Sequence, residues 1–233
     1  MAEKKYRHEF KYVSPEYILS AQQLRLSSIL DVDSHAGSEN TYSIRSIYFD
    51  DYFNTCYREN EDGTDPREKF RIRIYNCSTD RISLELKQKE HGMCHKISCP
   101  LSLEDCRTIM AGGIPDFDSR TPYLLKKLIM QMNMRALRPV VIVAYERVPF
   151  VYNDGNVRIT FDRNIRSSSD IEGFFDPAVD FRPVLESGIN MMEVKFDELL
   201  PDFINEALQT SRLQQTSFSK YYLCRKYNME GTL

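Results

Sequence analysis

Lys69, Arg71 and Arg73 stand at alternate positions in Lys69-Phe70-Arg71-Ile72-Arg73-Ile74-Tyr75. Successive side chains on a strand point to opposite faces, so these cations share one side with Tyr75. Phe70, Ile72 and Ile74 share the other side. The stretch Ser83-Leu84-Glu85-Leu86-Lys87-Gln88-Lys89 repeats the arrangement with Glu85, Lys87 and Lys89 on one face. Like charges crowded on one sheet face repel one another unless carboxylates, a metal or a bound polyanion neutralise them. Phosphate is the first candidate, because Arg forks grip its oxygens two at a time while Lys supplies point charge.

Four more segments carry the pattern. Arg7, Glu9 and Lys11 alternate with His8, Phe10 and Tyr12, and Arg158, Thr160 and Asp162 alternate with Val157, Ile159 and Phe161. Met191, Glu193 and Lys195 alternate with Met192, Val194 and Phe196, and Tyr145 and Arg147 end the apolar run from Val140 to Ala144. A half-exposed sheet turns one polar face to water, which would account for any single strand of this kind. These polar faces, however, carry several arginines and few of the Thr, Ser, Gln and Asn residues of a solvated face. A closed barrel with a polar lumen accounts for all of them together, because inward and outward positions alternate on every strand. Its apolar outer faces then require covering helices.

The elements that must hold these residues can be placed coarsely. Strands are expected at about 4–12, 42–50, 68–76, 81–89, 93–98, 139–147, 150–153, 156–162 and 190–196, with Asn153-Asp154-Gly155 as a hairpin turn. Ser14-Pro15 reads as the cap and first position of a helix reaching about Leu30. Further helices are expected from Ser102 to Gly112-Gly113, from Thr121-Pro122 to about Met134, from Pro201 to Thr210, and from about Ser217 to Tyr227. Leu124 to Met134 reads as core-facing helix. Arg58 to Pro66 reads as a polar turn, and 166–188 as irregular. The fold class is therefore α+β: roughly eight antiparallel strands with helices between them.

Composition narrows the function. The 233 residues are 42% hydrophobic and 12% aromatic, enough for a substantial core. A net charge of -3 speaks against a general nucleic-acid binder. No apolar run approaches the roughly 18 residues that cross a membrane, and Met1-Ala2-Glu3-Lys4-Lys5 lacks the apolar region of a signal peptide. The six cysteines form no Cys-x-x-Cys pair and read as reduced thiols of a cytoplasmic protein. There is no phosphate-binding Gly-x-x-x-x-Gly-Lys-Ser/Thr loop, no dinucleotide fingerprint, no His-Glu-x-x-His and no Gly-x-Ser-x-Gly elbow. Bound phosphates would have to be held by side-chain cations.

In order along the chain, Arg7-His8-Glu9-Phe10-Lys11-Tyr12, Ser46-Ile47-Tyr48-Phe49-Asp50, Lys69 to Tyr75, Leu84-Glu85-Leu86-Lys87, Tyr145-Glu146-Arg147 and Arg158-Ile159-Thr160-Phe161-Asp162 resemble the VTC domain. This is the catalytic domain of the eukaryotic polyphosphate polymerase complex, and it belongs to the triphosphate tunnel metalloenzymes. The resemblance spans about residues 4–228 as one domain. It implies an eight-stranded antiparallel β-barrel tunnel with helices packed outside. It places phosphate-gripping cations at Arg71, Arg73, Lys87, Arg147 and Arg158, with Lys11, Lys96, Ser219 and Lys220 also binding substrate. It places a metal-binding acid at Glu193. Glu9 stands where the superfamily has an N-terminal acidic motif, and Glu85 is a further candidate ligand.

The activity implied is transfer of the γ-phosphate of ATP to a polyphosphate chain, with Mn²⁺ or Mg²⁺ bridging phosphate oxygens and a carboxylate. A triphosphatase, with water as acceptor, and a polyphosphate-binding module without turnover are the alternatives. The expected partners are ATP or another triphosphate and inorganic polyphosphate, with no nucleic acid. Several residues keep a second reading. Lys96 could be a solvated charge, and Ser219-Lys220 could be helix surface. Glu85 could neutralise Lys87 or Arg73. Lys69, Lys89 and Lys195 could cap the rim or pair with neighbours. Asp50 and Asp162 are expected to orient arginines, and Arg45 falls on the Ile47 and Phe49 face, outside the site.

Overall fold

The alternation that marks the strands also decides how they assemble, because each carries an apolar face to bury and a charged face to neutralise. The structure, a computed structural model, describes residues 5–37, 39–209 and 213–230. In chain order, β1 is His8–Pro15, α1 Glu16–Ser27, β2 Asp31–Val32, β3 Tyr42–Asp50, α2 Thr55–Glu61, β4 Arg67–Tyr75, β5 Ser83–Glu90 and β6 Met93–Pro100. Then follow α3 Leu103–Met110, α4 Tyr123–Arg135, β7 Arg138–Tyr152, β8 Val157–Ser168, β9 Arg182–Pro183, β10 Ile189–Phe196, α5 Asp202–Leu208 and α6 Lys220–Glu230. Lys4 and Thr210, expected ends of the first strand and of the helix from Pro201, lie outside the described residues.

The eight long strands form one antiparallel sheet in the order β1-β10-β8-β7-β3-β4-β5-β6. The sheet curls until its edges meet, where Arg7 and Cys94 exchange backbone hydrogen bonds of 2.9 and 3.0 Å. Next to this seam the incoming chain of α6 covers the free edge of β1: Thr216 N–H donates to the Lys11 carbonyl at 2.8 Å. Curling a sheet into a barrel-like tunnel leaves few unpaired backbone groups at its edges.

Helices cover the apolar outer faces. Leu124, Leu125, Leu128 and Ile129 of α4, with Cys106 and Ile109 of α3, pack on Ile72, Leu84 and Leu86. Leu19 and Leu26 of α1, with Ile204 and Leu208 of α5, pack on Ile159, Phe161 and Val194. α6 departs from this arrangement. Its Tyr221 and Cys224 pack on Tyr48, Val141, Val143 and Met191, on the concave side of the sheet. Those strand positions are apolar while their neighbours along the same face are charged, so the concave side divides into a plugged part and a charged part.

Local sequence accounts for most boundaries. The Ser102 hydroxyl accepts from Asp105 N–H and caps α3. Gly155 makes the expected β7–β8 turn at φ 74, where a Cβ would sit 2.6 Å from the Leu199 carbonyl oxygen. At α1, Pro15 takes the cap position and the helix begins at Glu16. The polar-turn expectation for Arg58 to Pro66 is corrected, because α2 occupies Thr55–Glu61. The two strands expected at 139–147 and 150–153 are one, β7. Pro149 interrupts no β3 ladder, since β3 pairs only as far as Arg147.

Candidate active site: a cation-lined tunnel

The lumen is built by cross-strand neighbours. Arg71 lies opposite Glu85 on β5 and opposite Tyr48 on β3. Its Nε donates to Glu85 Oε2 at 2.6 Å, and its Nη1 donates to the Tyr48 hydroxyl at 3.0 Å. Arg73, opposite Ser46, donates to the Ser46 hydroxyl and to the Tyr145 hydroxyl, each at 3.1 Å. Lys96 reaches Glu85 Oε1 at 3.1 Å from β6. One carboxylate thus fixes cations from two strands.

A second carboxylate works the same way across β7 and β8. Arg147 lies opposite Asp162 and holds both its oxygens at 2.6 and 2.7 Å. Lys220, the first residue of α6, reaches Asp162 Oδ2 at 2.6 Å. Ser219 caps that helix, its hydroxyl accepting from Tyr222 N–H. The helix start that carries these two residues therefore opens into the lumen.

Across β1, β10 and β5, Lys and Glu alternate. Lys11 lies opposite Glu193, and Glu9 lies opposite Lys195. Lys87 donates to Glu9 at 2.6 Å, and Lys195 donates to Glu193 at 2.7 Å. Glu193 also lies 3.7 Å from Arg147 and 3.9 Å from Lys11. Glu9 and Glu193 share two lysines: Lys11 lies 3.4 Å from Glu9 and 3.9 Å from Glu193, and Lys195 lies 3.5 Å from Glu9 and 2.7 Å from Glu193. Arg158 is set apart from this group. It pairs with Asp33 at 2.8 Å and donates to the Tyr42 hydroxyl at 2.9 Å, and its buried Nε lacks a hydrogen-bond partner.

The electrostatics follow the pairing. Burial opposes the charge on Glu85, but Arg71, Arg73 and Lys96 outweigh it and hold the carboxyl far below the usual range. Asp162 is held down by Arg147 and Lys220 against the same burial. Glu9 is held well below its ordinary value by Lys87, Lys11 and Lys195, again against desolvation. Desolvation dominates at Lys11 and lowers its pKa, the attraction of Glu9 notwithstanding. Near neutral pH the lumen therefore holds both signs of charge, and cations prevail.

That excess is large. A cavity of about 680 Å³ is lined by fourteen Lys and Arg residues and two Glu residues, Glu9 and Glu193. Arg71, Arg73, Lys87, Arg147, Arg158, Lys11, Lys96, Ser219 and Lys220 all lie on its wall. Glu85 does not. It sits behind Arg71, 2% exposed, so the geometry favours the neutralising reading over the metal-ligand reading. Asp162 orients an arginine as expected. Asp50 does not: it accepts from the backbone of Asp51, Cys56 and Tyr57 and from the Tyr221 hydroxyl, and so anchors α2 and α6 instead. Arg45 lies outside the site and donates to the Phe174 and Asp176 carbonyls. Sequence reasoning missed Asp33, whose loop carries no alternation, and the hydroxyls of Tyr48 and Tyr42, which read as plain strand aromatics.

Among the described residues no three Asp, Glu, His or Cys side chains gather as a metal-binding group. Mg²⁺ and Mn²⁺ in phosphate-handling sites take one or two carboxylates and draw their other ligands from phosphate oxygens and water. The Glu9 and Glu193 carboxyls, which share Lys11 and Lys195 and both lie on the cavity wall, fit that requirement. The six described cysteines are free, four of them buried.

The sequence pattern of the VTC domain matches residues 6–228. The chain belongs to the VTC domain family. Two solved structures share the tunnel fold of this VTC domain. One is a proposed adenylate cyclase from Bacillus halodurans, 14% identical, with a TM-score of 0.54 over 93% of this chain and 95% of that one. The other is a proposed adenylyl cyclase from Hippeastrum, described as having a dominant triphosphatase activity, 13% identical, with a TM-score of 0.52 over 96% of each chain. At these identities the likeness speaks for the fold alone. No curated protein matches the chain in sequence. No described helix is long and apolar enough to cross a membrane.

Proposed function

We propose that this VTC domain is a polyphosphate polymerase-type phosphotransferase, moving the γ-phosphoryl group of ATP to the end of a polyphosphate chain. The observation that carries the reading is the cavity lined by fourteen cationic residues against two carboxylates. Free cations in water would bind phosphate weakly. Cations pre-positioned by buried carboxylates in a confined lumen bind it more strongly and need little reorganisation.

In the transfer, the bond between the γ-phosphorus and the β–γ bridging oxygen breaks, and ADP leaves with the electron pair. A terminal oxygen of the acceptor chain forms the new bond. The protein needs no covalent step; positioning and neutralisation supply the catalysis. Arg71, Arg73 and Arg147 take the transferring phosphoryl oxygens, each held by Glu85, Tyr145 or Asp162. Lys11, Lys87, Lys96 and Lys220 neutralise the rest of the chain, Arg158 takes phosphates near its own wall, and the Ser219 cap presents the start of α6. Glu193 and Glu9 would hold a divalent cation, which supplies charge neutralisation between phosphate oxygens.

A triphosphatase is the second reading, favoured by the activity described for the Hippeastrum protein. The cytoplasm, which keeps thiols reduced, suits the six free cysteines. Incubating the purified chain with ATP and Mn²⁺, then resolving polymer on a gel and assaying free phosphate, separates the readings. Polymer supports the proposal, phosphate alone supports the triphosphatase, and neither, with tight polyphosphate binding, leaves a non-catalytic binder.

A further inference from the structure

α4 differs from the other helices in charge. α1, α2, α3, α5 and α6 each contain at least one acidic residue, and α4 contains none. From Ser119 to Arg138 the chain carries Arg120, Lys126, Lys127, Arg135 and Arg138 without a single Asp or Glu, although its overall charge is -3. α4 also has an apolar outer stripe. Its inner face packs on the barrel through Leu124, Leu125, Leu128, Ile129 and Met132. On the outer side Tyr123 and Met134 are each 74% exposed, and Met130 is 48% exposed. Positions 123, 130 and 134 share one side of a helix. At the C-terminal end Arg135 pairs with Asp51 at 2.7 Å, which brings up the loop tip Tyr52-Phe53, 70% and 67% exposed.

We propose that this outer face docks on an anionic lipid surface. α4 lies along the headgroups, Tyr123, Met130, Met134, Tyr52 and Phe53 enter the boundary with the acyl chains, and the surrounding cations meet the lipid charges. Interfacial helices combine these features, apolar side chains toward the lipid with Lys and Arg beside them, and need no membrane-spanning length. Aromatic residues at both ends of the stripe suit the headgroup level. The inference is independent of the chemistry proposed for the tunnel.

Charge and shape both favour this occupant. Glu68 and Asp51 already take Lys127 and Arg135. Lys126 donates to the Ser119 carbonyl at 3.1 Å, and Arg138 is exposed and forms no ion pair among the described residues, so both are left for headgroups. A second copy of the chain in a two-fold dimer would set this cationic face against itself. An acidic peptide helix would need a groove to lie in. The exposed side chains instead stand out from a convex helix as a ridge, around which a bilayer yields.

Flotation of the purified chain with vesicles of phosphatidylcholine alone, and of phosphatidylcholine mixed with phosphatidylglycerol, tests this. Binding should require the anionic lipid. Met130→Gln with Met134→Gln, and separately Lys126→Gln with Arg138→Gln, should each weaken it about ten-fold. Arg71→Ala, which alters the tunnel wall, should bind vesicles as the unaltered protein does. The chain contains no tryptophan, so Met134→Trp places a single reporter on the stripe, and its emission should shift to the blue on anionic vesicles. Absence of binding to anionic vesicles overturns the proposal. So does binding that Arg71→Ala removes, which would put the lipid phosphates in the tunnel. Binding without a blue shift and indifferent to the methionine pair also overturns it, leaving a purely electrostatic contact. Equally tight binding of polyglutamate would assign the face to an acidic polypeptide, and dimerisation abolished by Met130→Gln with Met134→Gln would assign it to a second copy; either result overturns the lipid reading.

Discussion

Arg147 and Asp162 stand opposite each other on β7 and β8, joined by two parallel hydrogen bonds of 2.6 and 2.7 Å, with the carboxylate fully buried and the arginine on the cavity wall. The guanidinium is thereby fixed in plane with its remaining donors free for a ligand, and Lys220 locks the same carboxylate to α6. Replacing Asp162 by Asn keeps the shape but leaves two buried cations uncompensated. Asp162→Asn is expected to cost about 3–5 kcal/mol in urea unfolding. It should also lower kcat/KM more than Asp118→Asn, at an exposed loop pair.

Arg71 and Glu85 act as a unit. Arg71→Ala should lower kcat about 10²–10³-fold, as for removal of a pre-positioned charge donor. Adding Glu85→Gln should cost little more activity and should restore part of the lost stability, since the single variant leaves a buried carboxylate with only Lys96 and the more distant Arg73 as partners. Steady-state kinetics and unfolding of the three variants check the coupling.

Acid should unfold the domain through the same carboxylates. Glu85 and Asp162 have folded pKa values below their ordinary 4.5 and 3.8. The stability they contribute is fully present above those ordinary values and is lost as pH falls through them toward the folded values. Tm should be flat with respect to these two groups above about pH 5 and should fall steeply below about pH 4. A Glu85→Gln variant should start lower and fall less.

The carboxylate pair predicts a metal dependence. Glu193→Gln and Glu9→Gln should each raise the Mn²⁺ concentration needed for half-maximal activity, because a divalent cation between them would replace the lysines they share. Chelation should abolish turnover while tripolyphosphate binding by the cationic wall persists in weakened form. Metal titrations of activity and metal-free calorimetry measure the two parts.

The outer helices should matter for stability alone. Leu128 of α4 is fully buried against Ile72 and Leu84. Leu128→Ala is expected to cost about 2–5 kcal/mol, with ligand affinity unchanged at temperatures where the variant is folded.

The strand faces were legible in the sequence because a period of two leaves little ambiguity. Lys69, Arg71 and Arg73 cannot share a face with Phe70 and Ile72, and a barrel gives all such faces one destination. What stayed hidden was set by tertiary contacts. α2 begins after Asn54 in a left-handed conformation and is too short and polar to show a buried stripe; its anchor is Asp50, 171 positions from the Tyr221 that shares it. α6 packs inside the curl, not outside, because Val141 and Val143 give the concave face an apolar end, a distinction that alternation within one strand does not reveal. Glu85 and Glu193 look alike in sequence, each flanked by apolar residues. Only the register, which sets Arg71 against Glu85 and sets Lys11 and Thr160 against Glu193, separates a carboxylate behind an arginine from one on the cavity wall.

The most direct measurement is calorimetric titration of the purified chain with inorganic tripolyphosphate at low and high salt, alongside Arg71→Ala and Arg147→Ala. A tunnel of converging cations predicts saturable one-to-one binding that weakens steeply with salt and drops by an order of magnitude or more in each variant. Absence of saturable binding to the unaltered protein, or binding indifferent to both substitutions, would contradict it.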